Sequence, residues 1–268
     1  MQIIEVQFAP WDQSYYFKPE DENGRFLDLR VGDKAMVKTS LGTDIGLVTE
    51  LGEFQPASAD DKEIKPVLGR ATETDQLKYL ELNRNRNSLV RECRLLIKKL
   101  KLNMKLVDAH VSFDAQRLVY AFIADGRVDF RELVRELTKK HQKTIRLQQI
   151  GVRDEARYSG DIGPCGRCLC CKSFLDELGN VSTDIVKSQQ VAHRGADRLS
   201  GACGRLKCCL RYEQPVYESL ERKLPAIGSI VKTKYGSGEV IGWHTLRGTV
   251  KVNVGHKGEY NVVEVKVK

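Results

Sequence analysis

No apolar run in the 268 residues reaches the roughly 20 that a membrane-spanning helix needs, and the opening MQIIEVQFAPWD has neither a basic leader nor an apolar stretch behind it. A cytoplasmic protein without membrane insertion is expected. The chain also lacks a G-x-x-x-x-G-K-[ST] phosphate loop, an H-E-x-x-H zinc-hydrolase signature and a pair of carboxylates beside a nucleophile. A C-x-x-C pair occurs at Cys165 and Cys168, but not in the βαβ context of a thioredoxin-like site. The reading is therefore of a protein that is not an enzyme. Composition removes two further classes. With 41% hydrophobic residues, 30% charged residues and 19 aromatics, the chain is neither disordered nor collagen-like.

Mixed charge and clustered cysteine are what the sequence does have. Lys and Arg exceed Asp and Glu by 44 to 36, a net +8 that favours an acidic partner such as nucleic acid. The segment 84–101 carries Arg84, Arg86, Arg91, Arg94, Lys98, Lys99 and Lys101 against the single acid Glu92, and residues 223–268 hold eight Lys and Arg against three acids. Both features could track the phosphates of RNA in weak binding, against the plainer reading of a solvated face.

The pattern of apolar residues predicts an α+β protein in four parts. Residues 1–56 read as a small antiparallel β domain with strands over 3–8, 14–19, 34–40 and 44–52, followed by a polar linker over 56–66. Residues 64–152 read as a ferredoxin-like split βαβ domain: a first strand at 67–69, a helix from Thr72 to about Leu102, strands over 104–113 and 117–124, a second helix, and a strand over 144–152. The first helix is drawn from Leu77, Leu80, Leu89, Cys93, Leu96, Ile97 and Leu100 on a 3.6-residue period. Asp129 with Glu132 three residues on predicts a capping box for the second. Residues 153–222 form a cysteine-rich region with helix-prone segments, and 223–268 alternate as a small SH3-like β barrel.

Seven of the eight cysteines lie between Cys165 and Cys209, and six of them repeat in register. Gly163-Pro-Cys-Gly-Arg-Cys-Leu-Cys-Cys171 aligns with Gly201-Ala-Cys-Gly-Arg-Leu-Lys-Cys-Cys209 at an offset of 38 residues, and an aromatic follows each copy, Phe174 and Tyr212. Thiolates favour zinc, Cu(I) or an iron–sulfur cluster over a hard cation. The C-x₄-C reach from Cys165 to Cys170 suits either zinc or iron–sulfur ligation. Cys165, Cys170, Cys203 and Cys208 would make one closed site, leaving Cys171 and Cys209 over. Gly166 and Gly204 permit a tight turn, and Arg167 and Arg205 stand where they would offset thiolate charge. Cys93 reads as a core residue and His193, between the copies, as a solvent-facing one. Cys168 has no counterpart, since Leu206 stands in its place. His110 shares one strand face with Asp108 and Ser112 but has no nucleophile nearby in sequence.

The runs MKLVDAHVSFD (104–114), ADGRVDFRELV (124–134) and QIGVRDEAR (149–157), with GPCGRCLCC and SGACGRLKCCLRYE, resemble the bacterial RicT (YaaT) family, which shares a conserved domain with the polymerase-suppressor proteins. The resemblance is dense over about 100–215. It implies a cytoplasmic, non-enzymatic regulatory subunit that assembles with two small partner subunits and ligates [4Fe-4S] clusters jointly with them. It further implies an accessory role in mRNA processing by a membrane-associated endoribonuclease, and in some members a link to developmental phosphorelay control. The family's cysteine positions fall on Cys165, Cys170, Cys171, Cys203, Cys208 and Cys209. Cys168 departs from the family motif, which leaves an altered ligand set or a second metal open. Zinc in place of the cluster would make the protein a metal-stabilised nucleic-acid-binding adaptor.

Overall fold

The computed structural model describes residues 2–39, 42–53, 64–175, 179–255 and 261–266. It is a mixed α+β protein that divides into two compact units, Met1–Tyr158 and Ser159–Lys268. No described helix is long and apolar enough to cross a membrane.

The first unit opens with five strands, β1 (Gln2–Gln7), β2 (Tyr15–Phe17), β3 (Lys34–Thr39), β4 (Gly42–Glu53) and β5 (Val67–Arg70), in the order β2-β1-β4-β3-β5. The two edges of this sheet meet: Lys18 N–H donates to Lys65 O at 2.9 Å and Val67 N–H to Lys18 O at 3.3 Å. Inside the resulting barrel lie Ile4, Val6, Phe17, Leu29, Ala35, Val37, Val48 and Val67. The segment expected to open a ferredoxin-like sheet thus completes the N-terminal sheet. Val67 supplies the reason, because pairing β5 with β3 removes its side chain wholly from water. Of the proposed linker, residues 56–63 lie outside the described residues.

The long helix expected from Thr72 to Leu102 is two helices, α1 (Glu73–Arg84) and α2 (Arg86–Lys99). Thr72 caps α1, its hydroxyl accepting from Asp75 N–H while the Asp75 carboxylate accepts from Thr72 N–H. At Asn85 the ladder breaks and restarts, the Asn85 carbonyl accepting from Ser88 and Leu89. Only α2 carries the predicted stripe, burying Val90, Cys93 and Ile97, while Leu77 and Leu80 of α1 stay exposed.

Strands β6 (Lys105–Val111) and β7 (Arg117–Ile123) pair antiparallel, helix α3 (Arg131–His141) follows, and β8 (Thr144–Gln149) pairs parallel with β7. Three strands and the helices around them therefore replace the expected four-stranded ferredoxin-like sheet. The second capping box does not form. Phe130, not Asp129, is the N-cap of α3, and the Asp129 carboxylate instead grips the Arg131 guanidinium at 2.6 Å, which holds it down to about 2.

A bulge between Leu106 and Asp108 sets the two faces of this sheet. Leu106, Ala109, Val111, Leu118, Tyr120 and Phe122 pack with α2 and α3. The opposite face presents Asp108, His110, Ser112 and Arg117, all buried, together with Val119 and Ala121, which pack on Ala9 and Trp11. Asp44 of β4 accepts four hydrogen bonds there: from Ile45 N–H and Phe113 N–H at one oxygen, and from His110 Nε2 (2.9 Å) and Arg117 Nη2 (3.2 Å) at the other. Asp108 likewise accepts from Trp11 Nε1, Tyr158 Oη and Arg86 Nε. The two sheets of this unit are thus joined through filled carboxylates, as burial of charge requires.

Helix α4 (Val152–Ser159) leads to the second unit, whose helices are α5 (Cys170–Ser173), α6 (Thr183–Ser188), α7 (Ala196–Leu199) and α8 (Cys208–Glu221). Its strands β9 (Ile230–Thr233), β10 (Gly236–His244), β11 (Thr249–Asn253) and β12 (Val262–Lys266) form an antiparallel meander, β12-β11-β10-β9. Val240, Val250 and Val252 face its small core. Among the described residues no β9–β12 pairing closes the meander into the expected barrel. The turn proposed at 255–258 lies largely outside them.

Candidate functional site

The two cysteine repeats fold alike. Each begins with a small hairpin, bridged from Ile162 to Cys168 in the first copy and from Ser200 to Leu206 in the second. Gly163 N–H donates to Arg167 O at 2.7 Å, and Gly201 N–H to Arg205 O at 2.8 Å. The turns close through Gly166 N–H to Gly163 O and Gly204 N–H to Gly201 O, each 2.9 Å. Gly166 and Gly204 sit at φ +78° and +74°, the left-handed region that glycine enters without strain. Leu169 and Lys207 then turn the chain, with ψ of 127° and 128°, into α5 and α8. In both copies the vicinal cysteines are the first two helical residues, and the earlier cysteine sits on the hairpin turn.

The copies meet. Phe174 and Tyr212 pack edge to face with ring centroids 5.4 Å apart, although each ring is more than half exposed. Burial pushes the Cys208 thiol up, and the neighbouring Cys170, Cys171 and Cys209 push it further. Burial, then Glu213 and Cys170, raises Cys209. Thiols of one copy therefore lie in the field of thiols of the other. Cys171 is buried, Cys170, Cys203, Cys208 and Cys209 are half-buried, and Cys165 and Cys168 are exposed.

The donor chemistry suits a soft metal or an iron–sulfur cluster. Among the described residues, no three His, Cys, Asp or Glu side chains close around a point that would hold a single ion. Arg167 and Arg205 have exposed side chains, and their backbone carbonyls are what fasten the hairpins. His193 is exposed on a 3₁₀ turn, Ala192–Arg194.

Cys168 has a structural explanation. Its counterpart Leu206 packs against a core of Ile185, Val186 and Leu210 that α6 brings to the second copy, and buried Gln189 ties α6 to α8 by donating to Leu210 O at 2.6 Å. The first copy has exposed Lys172 where the second has Leu210, so the position of Cys168 faces water and needs no apolar side chain.

Cys93 is fully buried on α2, and desolvation pushes its thiol up to about 12, the behaviour of a core residue. His110 belongs to the Asp44 network, with Nδ1 at 3.4 Å from Tyr79 Oη. Sequence reasoning missed Asp44, Tyr79 and Arg117 in that group. The alternation of Asp108, His110 and Ser112 was the one local signal, and it showed a polar face without its partners.

Residues 65–150 match the family described as PSP1 C-terminal conserved region, and residues 180–224 match PSP1-like protein, third domain. The chain is 36% identical over 252 residues to the stage 0 sporulation protein YaaT of Bacillus subtilis (strain 168), across 94% of this chain and 90% of that protein. No solved structure matches it.

Proposed function

The chain belongs to the YaaT/RicT family of proteins with the PSP1 conserved region, and we propose that it is a regulatory subunit, not an enzyme, built around a shared iron–sulfur site. Cys165, Cys170, Cys171, Cys203, Cys208 and Cys209 are the residues that would hold [4Fe-4S] clusters, jointly with two small partner subunits. The assembly acts in the cytoplasm as an accessory factor for mRNA processing by a separate endoribonuclease. The name of the relative, a stage 0 sporulation protein, supports a regulatory role of this kind, and a role in developmental phosphorelay control is part of the same proposal.

The observation that carries the reading is the doubling. Two hairpin–helix units of the same shape meet through the rings of Phe174 and Tyr212, and burial, then the neighbouring thiols Cys170, Cys171 and Cys209, raises Cys208. Uncompensated thiolates at such proximity repel, and a bound cationic centre removes that repulsion. When bound, an iron–sulfur cluster supplies a redox-sensitive crosslink. The chain's own contribution is to hold the vicinal cysteines at the start of α5 and α8 and to leave Cys165 accessible to a partner.

Anaerobic purification with iron and acid-labile sulfide analysis tests this. Iron and sulfide should be bound, should fall in Cys165→Ser and in Cys203→Ser, and should be unchanged in Cys93→Ser. Stoichiometric zinc without sulfide would replace the cluster by a zinc-stabilised adaptor. The purified chain should leave RNA uncut in Mg²⁺ buffer, and its RNA binding should be weak and fall with salt, as phosphate contacts do.

A further inference from the structure

The three-stranded sheet of the first unit has two edges, and they are treated differently. At the β6 edge the Asn83 side chain imitates a strand: its Oδ1 accepts from Val111 N–H at 2.9 Å and its Nδ2 donates to Val111 O at 3.1 Å. Arg94 Nη2 covers Leu106 O at 3.2 Å on the same edge. Side chains from α1 and α2 thus block further pairing there, the usual protection of an exposed edge.

Among the described residues the β8 edge has no such cover. Thr144 N–H donates to Gln116 O and Ile150 N–H to Phe122 O, which with the parallel register directs the even-numbered residues of β8 toward β7. Ile145, Leu147 and Gln149 therefore turn their N–H and C=O groups away from the sheet. Among the described residues no strand pairs on that side, and no described backbone hydrogen bond reaches those groups.

We propose that the outer edge of β8 is a docking site for an extended acidic segment of a partner chain, which joins the sheet as a fourth strand. Main-chain hydrogen bonds would supply the affinity and charge the selectivity. From 137 to 153 the sequence holds Lys139, Lys140, Lys143, Arg146 and Arg153 and no Asp or Glu. Lys140 is engaged by Glu92, Lys143 by the Ala115 carbonyl, and Asp12 lies against Gln148, which leaves Lys139 and Arg146 as the exposed cations on which the charge selectivity rests. That charge argues against a second copy of this chain. Antiparallel pairing of two β8 strands about Leu147 makes the two Arg146 side chains diagonal neighbours on one face, where like charges repel. The proposal stands on unit-one geometry alone and survives whether or not the cysteines bind a cluster.

Hydrogen exchange on the full chain, with and without the peptide acetyl-Glu-Val-Glu-Val-Glu-Val-amide, tests it. In the free protein the amides of Ile145 and Leu147 should exchange much faster than those of Arg146 and Gln148. The acidic peptide should slow them, and the Lys-Val analogue should not. Gln149→Pro removes a backbone donor that no described hydrogen bond uses, at an exposed side chain off the core, so it should leave the thermal midpoint within a few degrees while weakening the peptide about tenfold or more. If that variant misfolds, the exchange pattern of the unmodified chain decides. Slow Ile145 and Leu147 amides in the free protein, no slowing by millimolar acidic peptide, equal slowing by the basic analogue, or slowing that tracks dimerisation in sedimentation would each overturn the proposal.

Discussion

His110 Nε2 lies 2.9 Å from Asp44 Oδ2, a contact between residues 66 positions apart that joins the N-terminal barrel to the three-stranded sheet. A carboxylate only accepts, so Nε2 carries the proton, and in the neutral ring Nδ1 is the acceptor that faces Tyr79 Oη. Arg117 reaches the same carboxylate oxygen at 3.2 Å. The polar face of β6 and β7 thus works as an internal fastening, with no substrate-sized opening needed to explain it.

Asp44→Ala should therefore be severe. Asp44 has no exposed surface, and its loss strips His110 and Arg117 of the carboxylate while both remain buried. Removal of one partner from a buried pair costs about 3–5 kcal/mol. Urea denaturation should show that loss, whereas a change below about 1 kcal/mol would mean that water replaces the carboxylate.

What was legible in the sequence was what is local. The cysteine repeat could be read because its hairpin, glycine turn and helix start all fall within nine residues, and the structure builds the two copies alike. The Asp44 network could not, because its members come from three separated strands and a helix. The fate of β5 was hidden for the same reason: the residues Val-Leu-Gly-Arg suit any sheet, and only the return of Lys18 to Lys65 shows which one they join. The split at Asn85 was masked by apolar spacing that continues across it. The box at Asp129 was a pattern without an outcome, since Arg131 takes the carboxylate first.

The cap that does form gives a pH prediction. The Thr72 hydroxyl and backbone N–H hold the Asp75 carboxyl below its ordinary value. A lowered folded pKa means that the stabilisation is complete above the unfolded carboxylate range, near 3.9, and fades as pH falls through the lower folded value. Thr72→Ala should cost about 1 kcal/mol at pH 7. The gap between variant and parent should narrow on acidification below pH 4; a gap that holds constant to pH 2 would show that Asp75 takes no part.

Exchanging the unmatched pair Cys168 and Leu206 of the repeat should be asymmetric. Leu206→Cys withdraws apolar surface from the core of Ile185, Val186 and Leu210 and should destabilise by about 1 kcal/mol or more. Cys168→Leu places a larger side chain where the chain is exposed and should shift stability by less than about 0.5 kcal/mol. Equal effects in thermal melts would mean that the first copy has a cover like that of α6.

The meeting of Phe174 with Tyr212 makes the last prediction. Both rings are more than half exposed, so ordinary burial contributes little to either and a single alanine substitution would understate the contact. Their edge-to-face geometry places the positive rim of one ring against the negative face of the other, an interaction worth about 0.5–1.5 kcal/mol beyond area. It also spans the two repeats, so it should couple their positions. A double-mutant cycle of Phe174→Ala and Tyr212→Ala, read by urea denaturation of the metal-free chain, should give a coupling in that range, the double variant losing less than the two singles together. Iron binding should fall in each single variant and little further in the double one, since either substitution already removes the ring contact between the two copies. Strict additivity with unchanged iron binding would show that the copies are held together elsewhere.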